Sequence, residues 1–96
     1  MDLLQSAEKA VIEALPPIIR RHRENGLLTW RLLHQIEAEV LADVAAGGKH
    51  NPGVLRMISA PAVLAYPKDD RPASFEGHTA MPVVFAAIAA AWKRVD

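Results

Sequence analysis

The chain has 96 residues, with eleven basic and eleven acidic side chains and no cysteine. The absence of cysteine excludes disulfides, thiolate zinc sites and cysteine nucleophiles, and it favours a reducing compartment, the cytoplasm. A formal net charge of zero argues against a bulk nucleic-acid coat and leaves room only for a local basic patch. This length is typical of one domain, which we expect to span residues 1–96.

Membrane insertion is not expected from the hydropathy of the chain. The longest apolar run, Met81 to Trp92, is too short to span a bilayer. The N-terminal segment, Met1 to Leu15, has no basic start before an apolar run, so it does not resemble a signal peptide.

The first third of the chain predicts two helical segments separated by prolines. Asp2 can cap a helix that runs to about Ala14. Pro16-Pro17 is expected to interrupt this helix, because proline cannot donate the helical hydrogen bond. A second segment is then predicted over Ile18–Glu24, and Asn25-Gly26 ends it.

The middle of the chain predicts a long helix and a short one. The long helix covers Trp30–Ala46, with Thr29 as its N-cap and Gly47-Gly48 at its end. Asn51-Pro52 then begins a short helix to about Ser59, because asparagine is a good N-cap and proline fits the first helical position.

The last third predicts at most one small hairpin and a closing helix. Ala62–Tyr66 and Ala73–Phe75 are expected as short strands on either side of a charged loop, Pro67–Pro72. The closing helix is predicted from Thr79, as its cap, to Val95. The predicted fold is therefore mainly α: a small single domain of four to five helices with a short β-hairpin, in winged-helix-like order.

This order of elements is typical of a winged helix-turn-helix, in which a recognition helix is followed by a hairpin wing. The leading functional hypothesis is a small DNA-binding regulator, with arginine and asparagine on base edges and lysine on phosphates. Asp69 and Asp70 oppose this interpretation, because they would repel phosphates from the wing. The residues predicted to bind DNA are Lys49, just before the short helix, Asn51, Arg56 and Ser59 of that helix and its ends, and Lys68 and Arg71 on the wing.

A basic cluster near the end of the first third supports a second hypothesis. Arg20, Arg21, His22 and Arg23 can bind phosphate or an acidic partner, or they can form the solvated side of a short helix. If they bind a partner, the protein is a non-enzymatic accessory or inhibitor module that docks on a larger protein through its helical surface.

The closing helix carries a stripe of large apolar residues flanked by alanines. Met81, Phe85, Ile88, Trp92 and Val95 recur at helical spacing, so they share one face. This stripe can pack on the long helix as core, and the alanine-lined flanks can form the seam of a homodimer, in which Phe85 or Trp92 would be an anchor. Both can hold at once. We expect a homodimer.

Catalysis, a metal site and a cofactor are not expected. His34 and Glu37 lie three residues apart on the long helix, but no second helix carries a matching pair. The serines lack the sequence context of a catalytic triad, and Gly47-Gly48-Lys49 is too short to resemble a phosphate-binding loop.

Overall fold

The computed structural model describes residues 2–59, 66–74 and 81–95, and within these ranges the chain forms four α-helices. A 3₁₀ turn, Arg23–Asn25, extends the first helix. The prediction of a small, mainly helical domain is confirmed. The helices are α1 (Leu3–His22), α2 (Trp30–Ala46), α3 (Pro52–Ile58) and α4 (Val83–Arg94).

Helix α1 runs without a break through Pro16-Pro17, so the predicted interruption and the separate helix over Ile18–Glu24 are wrong. The two prolines leave the carbonyls of Ile12 and Glu13 without their helical donors, but both residues are exposed and water can bind there. Ile18-Ile19, directly after the prolines, is almost fully buried. Burial of about 1.5–3 kcal/mol per isoleucine offsets a cost of about 3 kcal/mol per proline.

The loop over residues 66–74 caps the N-terminus of α2. The amide of Trp30 donates to the carbonyl of Arg71 at 3.0 Å, and the amide of Arg31 donates to the carbonyl of Asp69 at 2.8 Å. Thr29 is the N-cap, as predicted, and accepts from an amide of the first turn. Helix N-termini leave amides without intrahelical partners, so this docking satisfies donors that would otherwise need water.

Helix α4 begins at Val83, and the predicted start at Thr79 is wrong. Pro82 is extended, and its ring disfavours helical geometry at the preceding Met81. Thr79 itself lies outside the described residues. The helix ends at Arg94, one residue before the predicted end at Val95.

The described residues contain no β-strand. Tyr66 and Ala73 have irregular backbone, while residues 62–65 and Phe75 lie outside the described ranges. Within the described ranges, an antiparallel bridge joins Thr29 to Pro72, so it attaches the loop to the start of α2. The hairpin, and with it the winged-helix part of the fold, stays a prediction.

Three helices, α1, α2 and α4, supply most of the core. An aromatic cluster links the loop to it: the ring centroid of Tyr66 lies 5.9 Å from that of Trp30 and 5.2 Å from that of Phe85. In the part of the chain that the structure describes, no helix has both the length and the apolar composition needed to cross a lipid bilayer. The largest fully buried side chains are Leu15, Ile19, Leu33, Ile36, Phe85 and Ile88.

Candidate functional site

The C-terminal end of α1 carries the basic cluster, and α2 neutralises part of it. Glu39 of α2 accepts a hydrogen bond from Nη2 of Arg21 at 3.2 Å, and its other oxygen lies 2.7 Å from Nε2 of His22. Arg20 is exposed, and no acidic side chain within the described ranges pairs with it. Arg21 and His22 therefore hold α1 against α2, while Arg20 faces solvent.

The Glu39 carboxylate is stabilised in its charged form. Partial burial by itself would raise the pKa of Glu39, but the hydrogen bonds from His22 and Arg21 outweigh burial and hold the pKa below its usual value. Glu39 is thus a structural partner of the cluster, since its charge is already matched by two side chains of α1.

Arg23 joins the end of α1 to the end of α4. Its guanidinium carbon lies 5.0 Å from the centroid of the Trp92 ring, and Nη1 donates to the main-chain carbonyl of Trp92. That carbonyl lies in the last turn of α4, where carbonyls have no intrahelical partner. The contact fixes Trp92 and places Lys93 and Arg94, which are exposed, beside the cluster on α1.

We call the surface formed by Arg20, Arg21, Arg23, Lys93 and Arg94 the basic end. Among the described residues, the acidic side chains next to these cations in sequence or paired with them are Glu24 and, from α2, Glu39, so positive charge is in excess there although the whole chain is neutral. Arg21 and Arg23 are occupied by contacts within the chain. Among the residues that the structure describes, Arg20, Lys93 and Arg94 have no acidic partner.

An apolar groove of about 300 Å³ opens at the basic end, between α4 and the segment that precedes α2. Its walls are apolar apart from Lys93. Leu27 at its edge is a large apolar side chain that is 51% exposed. We call it the Leu27 groove; its lining includes Leu27, Leu28, Ala73, Ala89, Trp92 and Lys93.

A larger and more polar cleft, of about 540 Å³, lies on the other side of Leu27. Its charged lining is already paired, because Nε of Arg31 donates to Asp70 at 2.8 Å and His22 contacts Glu39. The larger cleft therefore presents less unmatched charge than the smaller groove.

The residues predicted to read DNA on the short helix lie at the far end of α2. The carboxamide oxygen of Asn51 accepts from the amide of Gly53 at 2.7 Å, and the hydroxyl of Ser59 donates to the carbonyl of Arg56 at 3.0 Å. These contacts cap the two ends of α3. Lys49 and Arg56 are exposed, and no ion pair within the described ranges involves them.

The predicted wing residues lie at the opposite end of α2. Arg71 forms an ion pair with Asp69 at 2.8 Å, and Lys68 is exposed. The hydrogen bond from Arg71 lowers the pKa of Asp69 and raises that of Arg71 itself. Helix α2 has 17 residues and a length of about 25 Å. Because Lys49 follows its C-terminus and the loop caps its N-terminus, the structure does not bring the two predicted groups together.

Phe85 and Trp92, the predicted anchors of an interaction surface, lie within the core of the chain. Phe85 is fully buried, and Trp92 is 9% exposed. This placement matches the core role that the sequence had left open. Only the edge of Trp92 that lines the Leu27 groove is available to a partner.

His34 supports the loop instead of pairing with a metal. Its Nε2 lies 2.9 Å from the carbonyl of Pro67, and its ring meets that of Phe85 edge-on at 5.1 Å. Burial lowers the pKa of His34 and outweighs the contact with Pro67, which raises it. Across residues 2–59, 66–74 and 81–95, no three side chains of the metal-binding types cluster.

In a comparison with protein families, residues 3–96 match a family described as a protein of unknown function, DUF2471. The chain belongs to DUF2471. No curated protein and no solved structure matches this DUF2471 protein. Membership of DUF2471 names no activity, so the functional proposal depends on the geometry of the basic end and the Leu27 groove.

The sequence predicted a candidate surface with Arg20, Arg21 and Arg23, but the prediction did not include Lys93, Arg94 or Leu27. The sequence signal for an exposed Leu27 is its position. It follows directly after Asn25-Gly26, beyond the end of the helix whose apolar face is buried. The contact between Arg23 and Trp92 joins residues 69 positions apart, and no local pattern indicates it.

Proposed function

We propose that this DUF2471 protein is a non-enzymatic accessory module that binds an acidic surface of a larger protein through the basic end. The observation that carries the proposal is the contact between Arg23 and Trp92, which makes one surface from two helix ends. Without this contact, the cations of α1 and those of α4 would be separate, ordinary helix termini.

The charge distribution favours a protein partner. Exposed cations around an apolar groove are typical of a protein interface, in which charges steer association and a buried apolar contact supplies affinity. Arg20, Lys93 and Arg94 supply the charges, and the Leu27 groove supplies the apolar area. An apolar groove of this kind has no role in recognising the edges of DNA bases.

The same proposal holds that the protein does not act as an enzyme. Catalytic sites bring groups of shifted pKa together in one cleft. Among the described residues, each group of shifted pKa has a structural cause: Glu39 is paired between α1 and α2, His34 is buried against Phe85, and Asp69 is paired with Arg71 in the loop.

The test compares two triple charge reversals that change the net charge equally. The first replaces Arg20, Lys93 and Arg94 of the basic end by glutamate. The second, the matched control, replaces Lys9, Lys49 and Arg56, which are exposed elsewhere on the molecule. Proteins that co-purify with the tagged chain from its source cells, and are released by salt, are quantified by mass spectrometry. We expect the basic-end variant alone to lose them; equal recovery by both variants contradicts the proposal.

The DNA-binding regulator is the second candidate function, favoured by the exposure of Lys49 and Arg56 beside α3. Its test is a fluorescence-anisotropy titration with a random-sequence duplex at low and at moderate salt. DNA binding requires an affinity that falls steeply with salt and weakens in Arg56→Ala. No binding at low salt rejects this candidate.

Self-association is the third part of the proposal, carried over from the alanine-rich closing helix. Ala86 and Ala90 are exposed on α4, on the side away from its buried face. We propose this flank as the seam of a homodimer. Sedimentation equilibrium of the wild type should give twice the chain mass, and Ala90→Glu should give the monomer mass; a monomeric wild type rejects the dimer.

A further inference from the structure

We propose that the Leu27 groove is the recognition site for an acidic peptide segment of the partner that carries one large apolar side chain. This inference rests on the proposed function and specifies the partner's chemistry. The apolar side chain would enter the groove between Leu27 and Trp92, and a flanking carboxylate would meet Lys93.

The size of the groove limits its occupant. Sites for drug-sized ligands and cofactors measure about 300–1,000 Å³, so a groove of about 300 Å³ lies at the lower bound of that range. One large side chain is therefore a better match than a whole cofactor. Its walls, formed by leucines, alanines and the edge of Trp92, offer apolar contact and few polar groups to fix a small polar molecule.

The groove is fixed before any partner binds. The amide of Ala73 donates to the carbonyl of Leu28 at 2.8 Å, which ties the loop to the segment that precedes α2 on the side of the groove that faces α4. Trp92 is held by Arg23 through the ring and through the carbonyl. A preformed site avoids the entropic cost of ordering side chains and loops on association.

Charge complementarity selects an acidic occupant. Among the described residues that line the groove, Lys93 alone is charged. Arg94 follows it in the chain, and the Arg23 guanidinium lies over the Trp92 ring. No acidic side chain of the described residues lines the groove. A basic or neutral segment would leave this positive charge unmatched, and like charges at an interface suppress wrong partners.

The experiment is a selection from a displayed library of random twelve-residue peptides against the full chain. We expect enriched peptides to contain one large apolar residue flanked by aspartate or glutamate. Synthetic peptides from the selection are then titrated into Leu27→Asp, Lys93→Glu and the control Met57→Asp. Met57 is 69% exposed on α3, so its replacement adds the same charge to an exposed apolar position away from the groove.

We expect Leu27→Asp and Lys93→Glu each to weaken binding at least tenfold and Met57→Asp to leave it unchanged. Thermal unfolding of each variant verifies that the fold persists. A second selection against Lys93→Glu should enrich basic flanking residues, an inversion that a merely structural role for Lys93 would not produce.

Three results overturn the inference. One is enrichment of peptides without acidic residues, and another is equal binding to all variants. The third is a dimer in solution that Leu27→Asp converts to monomer, since a second copy would then occupy the groove. If Leu27→Asp retains the co-purifying proteins while the basic-end triple variant loses them, the groove inference fails and the proposed function stands. If neither variant loses them, both fail.

Discussion

Two charged regions of the molecule, the loop over residues 66–74 and the basic end, use their charges differently. Both carboxylates of the loop are paired with arginine: Asp69 with Arg71, and Asp70 with Arg31 of α2. Carbonyl groups of the loop also accept hydrogen bonds from the first amides of α2. Its charges therefore serve the attachment of the loop to the helix.

The basic end keeps charge that the chain does not neutralise. Arg21 is paired with Glu39 and Arg23 is held by Trp92, whereas Arg20, Lys93 and Arg94 face solvent without an acidic partner among the described residues. The number of charges in a segment therefore does not locate a binding surface. The surface is where the fold leaves charge unmatched beside apolar area.

The largest expected effect comes from removing the anchor of the loop. Phe85 is fully buried and contacts both Tyr66 and His34, which connect the loop to the core. Phe85→Ala should lower the free energy of unfolding by about 3–5 kcal/mol, measured by urea denaturation. A loss below about 1 kcal/mol would show that the loop does not depend on this contact.

Removing the contact between the C-terminal ends of α1 and α4 should have the next largest effect. Arg23→Ala removes a charged hydrogen bond and a cation–π contact, so we expect the free energy of unfolding to fall by about 2 kcal/mol. Partner binding should fall with it, because Lys93 and Arg94 would lose their position beside α1. Arg23→Lys keeps the charge but not the planar stacking on Trp92. It should therefore recover only part of the free energy of unfolding and only part of the partner binding. Full recovery by lysine would contradict the geometry.

The stability of the loop's attachment should depend on pH through His34. Burial places the pKa of His34 below its usual value of about 6.5, so the unfolded chain takes up a proton first as the pH falls. The contribution of neutral His34 to the free energy of unfolding is complete above about pH 6.5, and it is lost as the pH falls through the folded-state pKa. The difference in unfolding free energy between the wild type and His34→Gln should therefore shrink towards acid pH. A constant difference from pH 7 to pH 5 would contradict this.

Breaking an ion pair of the loop should have the smallest effect. The side chains of Arg31 and Asp70 are 64% and 78% exposed, and solvent screens such pairs. Asp70→Asn should change the free energy of unfolding by less than about 1 kcal/mol and leave partner binding unchanged, as thermal unfolding and the co-purification assay would measure. Loss of binding in this variant would place the interface at the loop.

Local rules predicted much of the helical fold. Asp2, Thr29 and Asn51 each accept a hydrogen bond from an amide of the first turn, as expected for N-caps. The start of α4 also follows a local rule, the restriction before Pro82, which our prediction from Thr79 did not apply. The continuation of α1 through Pro16-Pro17 does not follow from a local rule. It depends on how deeply other elements bury Ile18 and Ile19, the residues that come next.

The candidate site was less predictable because its contacts are distant in sequence. Glu39 meets His22 across 17 positions, and Arg23 meets Trp92 across 69. The arginines alone indicated a basic patch but not which of them the fold would neutralise. That distinction needed the packing of α1 against α2 and α4.

The most direct test is an NMR titration of the ¹⁵N-labelled full chain with an acidic twelve-residue peptide that contains one central leucine. We expect the largest amide shift changes at Arg20, Leu27, Lys93 and Arg94, and smaller changes at higher salt. Changes centred on Lys49–Ser59 or on residues 66–74, or no changes at the basic end, would contradict the assignment of the interface.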